Sequence, residues 1–266
     1  MRMGIVMQRR RMRQAAQRRK RLLSTAATAG VIALLALSPQ VQTELTRLAQ
    51  NVQTFSPQSV QQEMTLPGYD VYALQLAVFD SGERAQSELK RLQSLGVRSV
   101  IWQKERMRIV ADAALSKDAL HMDAAKGQEA YIIRETLEEV SLRLTADAIS
   151  VAEAKQLLEM PDRAFRSIAG DKIPLDQIVN DVYSTAQQTL DTQPENELYT
   201  HLAQSLVSWC SMMSTALEDA QETDVRSYGA VSMCLIARQL RQALSALSTA
   251  SAQRTPSTAA DVMPPA

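Results

Sequence analysis

The chain has 266 residues, with 29 basic side chains against 29 acidic ones, two histidines and two cysteines. Nine of the basic residues fall in the first 21, so everything after them is net negative by nine. That imbalance argues against a nucleic-acid partner for the bulk of the chain, and the cysteine and histidine content is too sparse for a clustered metal centre.

The N-terminal block runs from Arg2 through Arg9, Arg10, Arg11, Arg13, Arg18, Arg19 and Lys20 to Arg21, and the first acid is Glu44. Residues 22–37 are uncharged and mostly apolar, and extend to 22–41 as a span of about 20 residues, enough to cross a hydrocarbon core. A basic block stays on the cytoplasmic side, so the expected protein is single-pass in the cell membrane, with 1–21 cytoplasmic and the bulk extracytoplasmic. A cleaved signal peptide is the alternative. The small-x-small pair of Ala36-Leu37-Ser38 is followed by Pro39, which opposes cleavage. An arginine-rich targeting peptide or a phosphate-binding arm would also carry such a block. Residues 42–68, rich in glutamine and holding Ser56-Pro57 and Pro67-Gly68, read as a linker.

Residues 69–135 read as a small folded unit. A β-branched and aromatic-rich run at 71–79 stops at Asp80-Ser81-Gly82 and predicts a strand. Ala85, Leu89, Leu92 and Leu95 follow at helical spacing, with Ser81 as N-cap and Gly96 as the stop. Strands at 97–102 and 107–111, a helix at 117–126 stopped by Gly127 and a strand at 130–135 complete the series. The order β-α-β-β-α-β predicts a ferredoxin-like module: a four-stranded antiparallel sheet with two helices on one face and the other face open.

Particular residues add to that order. Leu74-Gln75-Leu76-Ala77-Val78-Phe79 parallels a Val-Gln-Val-Gly-x-Phe type strand. The helix at 84–96 is rich in Ala, Glu and Leu and ends in Leu92-Gln93-Ser94-Leu95-Gly96, a Leu-x-x-x-Gly pattern. Met107-Arg108-Ile109 stands where an aromatic-Arg-Val core would be. In these features 69–135 resembles the SPOR (sporulation-related repeat) domain of bacterial cell-wall proteins. It departs from the pattern at Ala77, in place of glycine, and at Asp112-Ala113-Ala114, in place of a Gly-Pro-Phe turn. The resemblance implies binding to peptidoglycan glycan strands, in cell division or sporulation.

Strand alternation directs Leu74, Leu76 and Val78 toward the helices and Ala73, Gln75 and Ala77 outward, with Met107 and Ile109 inward and Arg106 and Arg108 outward. The expected glycan-binding set is therefore Gln75, Ala77, Trp102, Arg106, Arg108 and Tyr131. Gln75 offers both donor and acceptor atoms to sugar hydroxyls, Arg108 a fork of donors, and the aromatics a stacking surface. Core packing is the competing reading for Trp102 and Tyr131.

Residues 136–252 are expected to form a separate all-α domain, long enough to bury its own core. Leu137, Val140, Leu144 and Ile149 open a helical pattern, and Leu157-Leu158 close a segment before Pro161. Leu175, Ile178, Val179 and Val182 mark the next helix, and 195–220 and 224–250 form an αα-hairpin. Cys210 and Cys234 lie twelve residues either side of Glu222, which predicts equal height in the hairpin. A disulfide and a pair of buried free thiols are both open on this spacing. Residues 253–266, with their prolines and small side chains, read as a disordered tail.

Nothing pairs residues for catalysis. His121 and His201 lie outside any metal-ligand spacing, Glu138-Glu139 and Asp162-Arg163 read as ordinary helix charges, and there is no Gly-rich phosphate loop or nucleophile elbow. No enzyme activity, metal or cofactor is expected. The sequence reading is a membrane-anchored, non-catalytic peptidoglycan-binding protein with protein partners for the helical part. The alternative is a membrane-anchored scaffold that binds protein only.

Overall fold

The computed structural model describes residues 61–145, 150–194 and 196–252. The basic tail, the expected anchor, most of the linker and the tail 253–266 lie outside them. Among the described residues no helix is long and apolar enough to cross a membrane.

The protein is α+β, with two antiparallel sheets and five α-helices among the described residues. In chain order the elements are β1 Gln61–Leu66, β2 Tyr69–Phe79, α1 Gly82–Ser94, β3 Val100–Gln103, β4 Met107–Ala114, β5 Tyr131–Leu137 and β6 Val140–Thr145. The helices α2 Val151–Ala169, α3 Leu175–Asp191, α4 Glu197–Asp219 and α5 Glu222–Ala252 follow. The larger sheet has the order β3-β4-β2-β5, antiparallel throughout, and β1 pairs with β6 as a separate ribbon.

The first helix forms where the spacing predicts. The Ser81 side chain accepts from the Arg84 N–H, and Ala85, Leu89 and Leu92 are buried along one face. Gly96 takes a positive φ of 78° just beyond the helix end, a conformation open to glycine at little cost.

The second expected helix does not form. Residues 117–126 make two short 3-10 turns, Lys117–Ala119 and Met122–Ala125. The reason is local: the buried Asp112 carboxylate accepts from the Ala113 N–H at 2.9 Å and the His121 N–H at 2.6 Å. It draws the loop back onto the end of β4. Hydrogen bonding of this kind offers the backbone an alternative to a continuous helix.

Two strands replace expected linker and helix. Met64 and Leu66 are buried in β1, inside the stretch read as linker, and Val140 and Leu144 are buried in β6, where a helix was expected to begin. The run Val140-Ser141-Leu142-Arg143-Leu144-Thr145 alternates apolar and polar, and that period of two fits a half-buried ribbon.

Pro161 does not end its helix. It sits inside α2, which continues to Ala169. Apolar burial on both sides, by Leu157, Leu158 and Met160 before and Ala164, Phe165 and Ile168 after, outweighs the lost backbone hydrogen bond. The start of α2 is fixed by a reciprocal cap: Ser150 Oγ accepts from the Glu153 N–H at 3.2 Å, and the Glu153 carboxylate accepts from the Ser150 N–H at 2.9 Å. Ser150→Ala is expected to cost about 1 kcal/mol, read as a lower midpoint in urea denaturation with an unchanged slope.

The boundary expected at 135/136 does not divide the core. One continuous apolar cluster joins Val71, Ala73, Val100, Trp102, Val110 and Ala113 of the sheet to the buried residues of α2 through α5. The long α5 lies on the face of the sheet opposite α1 and packs also on α2. A smaller cluster, with Leu74, Leu89, Leu92 and Ile109, fills the space under α1.

Polar contacts pin α5 along its length. Lys126 Nζ meets Asp224 at 2.5 Å near its start. Arg226 donates to the Ile173 carbonyl at 3.0 Å and pairs with Asp171 at 2.9 Å. Further along, Trp209 Nε1 of α4 donates to Ser232 Oγ at 2.9 Å. Gly229 makes this crossing close: a Cβ there would stand 2.7 Å from Met213 Cε.

Candidate functional site

The register brings four of the six expected glycan-binding residues onto one sheet face. Gln75 lies directly across from Tyr131, Trp102 directly across from Arg108, and Arg108 Nη1 donates to Gln75 Oε1 at 2.8 Å. That face is the one α5 covers. Trp102 is 1% exposed and belongs to the shared core, so stacking on a sugar is closed to it in this conformation. Gln75 is 8% exposed, whereas Tyr131 stays 54% exposed at the rim, hydrogen-bonded to Glu129.

The other two residues lie elsewhere. Register shifts in the β2–β4 pairing between Leu74 and Gln75 and between Gln75 and Ala77 interrupt strict alternation. Ala77 packs instead with the cluster under α1. Arg106, at the β3–β4 turn, pairs with Asp80 at 2.6 Å. The open sheet face expected from the order of elements is therefore an interior surface over its centre. Near its rim, burial lowers the pKa of the Arg238 guanidinium, which feels both Glu135 and Arg108.

The two cysteines are free and buried. Cys210 Sγ donates to the Val179 carbonyl at 3.3 Å on α3, and burial pushes its thiol up to about 12. Cys234 feels the Asp162 and Glu135 carboxylates, and burial raises its pKa as well. Of the two outcomes the spacing left open, the structure shows the pair of buried free thiols.

A cleft of about 530 Å³ opens where the β1–β2 turn meets the second half of α2 and the α2–α3 turn. Leu66, Pro67 and Ile173 give it an apolar wall, and Arg163, Arg166 and Lys172 line it with positive charge. Behind its lining residues Leu66, Pro67 and Asp162 lies a buried polar knot. Arg241 of α5 donates to the Leu66 carbonyl at 3.1 Å, the Pro67 carbonyl at 3.0 Å, the Glu138 carbonyl at 2.8 Å and Asp162 Oδ2 at 2.6 Å. Tyr69 donates to Asp162 Oδ1 at 2.7 Å. Burial raises the Asp162 carboxyl pKa, while Tyr69 and Arg241 act to lower it; burial likewise raises Tyr69.

The three cations differ from Arg241 in their pairing: Arg166 acts on the Asp162 carboxylate only through its field, and Arg163 and Lys172 have no ion pair among the described residues. The Arg166 guanidinium stacks 4.3 Å above the Tyr69 ring. Arg163 reaches the Met160 sulfur at 3.5 Å. Among the described residues none of Arg163, Arg166 and Lys172 makes a salt bridge. The sequence showed Asp162-Arg163 as an ordinary pair of helix charges, and nothing in it marked Arg241 as the partner of Asp162, 79 residues away.

Among the described residues no group of His, Cys, Asp or Glu is placed to hold a metal ion. His121 Nδ1 lies 3.4 Å from Asp112, whose carboxyl pKa burial raises while the His121 and Ala113 N–H groups and the Ser227 side chain of α5 act to lower it. No family model, curated protein or solved structure matches the chain.

Proposed function

We propose that this chain is a non-catalytic, membrane-tethered assembly protein whose folded part binds protein rather than glycan. The tether is the apolar stretch 22–41 behind its arginine block. The folded part is a ferredoxin-like unit with its second helix reduced to two 3-10 turns. Its strand order β3-β4-β2-β5 and uniformly antiparallel pairing support that reading.

One observation carries the choice of partner. The sheet face that would have to meet a glycan chain is packed under α5, with Trp102 and Val110 in the core. A face filled by a helix is unavailable to a polysaccharide unless the helix leaves, and here the helix is tied to the rest by core contacts and by Arg226 and Arg241.

The glycan reading keeps one observation in its favour. The bonded pair Gln75 and Arg108 lies on this face, with Tyr131 exposed at its rim.

Cosedimentation of the full chain in detergent with purified peptidoglycan, intact and amidase-stripped, separates the two. The expected result is no gain in pelleting on stripped strands. Pelleting on stripped glycan that Gln75→Ala abolishes would overturn the protein-binding reading and restore wall attachment.

A further inference from the structure

We propose that the cleft between the β1–β2 turn, α2 and the α2–α3 turn is a binding site for an acidic, partly apolar peptide segment of a partner protein. The proposal rests on the protein-binding reading above and names the site and the chemistry of the partner.

Charge is the first ground. Residues 61–252 hold 27 acids and 18 bases, yet three of those bases, Arg163, Arg166 and Lys172, converge on one concavity. Elsewhere several cations are matched, Arg91 with Glu88, Arg106 with Asp80, Arg134 with Asp70 and Lys104 with Glu135, and those without an ion pair among the described residues, such as Arg84 and Lys90 on α1, do not line a concavity. In the cleft Arg163 and Lys172 have no ion pair among the described residues, Arg166 feels Asp162 without a salt bridge to it, and the three cations outnumber the lining carboxylates Glu159 and Asp162. A guanidinium whose N–H fork has no acceptor is a ready donor to a carboxylate, and Arg166 is held for that role by stacking on Tyr69. Against an otherwise acidic body, such a spot attracts anions selectively.

Preorganisation is the second. Both walls are fixed from behind by arginines of α5. Arg241 holds the carbonyls of Leu66 and Pro67, and Arg226 holds the carbonyl of Ile173. A cleft whose walls are fixed loses little entropy when it is filled. Its size lies in the range of pockets for small ligands, room for a few residues of an extended segment.

The mixed lining selects the class of anion. Leu66, Pro67 and Ile173 beside the cations ask for an apolar side chain next to the charged one. Glu159 also faces the cleft, and it disfavours a dianionic phosphate more than a single carboxylate. The net-negative body likewise repels an anionic lipid surface, which would need a broad basic face rather than one concave spot.

The test is fluorescence polarisation with the full chain in detergent, its cations within 1–21 replaced by serine so that they do not contribute. The probe is a fluorescein-labelled peptide alternating glutamate and leucine. Saturable binding is expected, weakened about tenfold or more in Arg166→Glu/Lys172→Glu, as loss of charge-assisted bonds predicts. Arg84→Glu/Lys90→Glu, on the surface of α1, should leave it unchanged. Equal affinity in the wild type and the cleft variant would overturn the site. So would equal affinity for a glutamine-for-glutamate probe or a serine-for-leucine probe, the latter together with displacement by inorganic phosphate marking a simple anion site. Flotation with phosphatidylglycerol vesicles that the cleft variant abolishes would assign the cations to a membrane surface and overturn the peptide. Failure in any of these forms leaves the protein-binding reading standing, because that reading is tested separately on peptidoglycan.

Discussion

Arg241→Ala is expected to lower the stability of the protein by about 3–5 kcal/mol, the cost of breaking a buried charge pair by removing one partner. The side chain is 4% exposed and serves four acceptors, three of them backbone carbonyls of the β1–β2 and β5–β6 turns and the fourth the Asp162 carboxylate. Alanine would leave all four without their partner in a largely water-free place. Arg241→Lys should recover only part of the loss, because an ammonium keeps the charge but cannot span acceptors spread over the guanidinium fork. Asp162→Asn should also destabilise, by leaving Arg241 without a counter-charge. Urea denaturation followed by far-UV circular dichroism reads all three. A loss below about 1 kcal/mol for Arg241→Ala, the size of an exposed pair, would mean that water reaches this knot and replaces the arginine.

Trp102→Ala should cost a similar amount, about 3–5 kcal/mol, from lost burial and the cavity left behind. The more informative readout is the number of transitions. Trp102 sits on β3, but its neighbours in the core come from the helices as well as the sheet. Loss there should weaken sheet and helices together, in one cooperative transition. Two transitions, with the later one unmoved by the substitution, would mean that the sheet unit and the helices unfold independently. Trp102→Phe should be milder, since it keeps most of the volume and removes an indole N–H that has no hydrogen-bond partner.

The local signals in the sequence held wherever the decisive physics was local. Ser81, the apolar spacing of Ala85, Leu89 and Leu92, and Gly96 placed α1, because capping and amphipathic period act within a few residues. The same period located α3, α4 and α5 to within a few residues at their ends. The strands at β2 through β5 followed from β-branched runs and turn residues. Alternation in 140–145 was also legible, but Leu137, Val140 and Leu144 happen to satisfy a helical spacing too, and a short run does not discriminate between the two periods.

What the tertiary structure alone decided was which surfaces stay outside. A sheet with one apolar face under α1 reads from sequence as having a free second face. The residues that cover it belong to α5, about 150 positions away from β2, and no local period reveals which face a distant helix will choose. Gln75, Trp102 and Arg108 were therefore legible as neighbours on one face but not as neighbours under a helix. Arg241 reads as a helix-surface charge until the chain returns it to the β1–β2 turn, where desolvation makes it a structural pin. The cleft has the same origin. Arg163, Arg166 and Lys172 are scattered charges in sequence, and they become a site only because Arg226 and Arg241, held in α5, fix the two walls beside them. Sequence by itself determined the elements and their amphipathic faces, which depend on contacts a few residues apart. The long-range packing of α5 determined exposure, and exposure determines where this protein can bind.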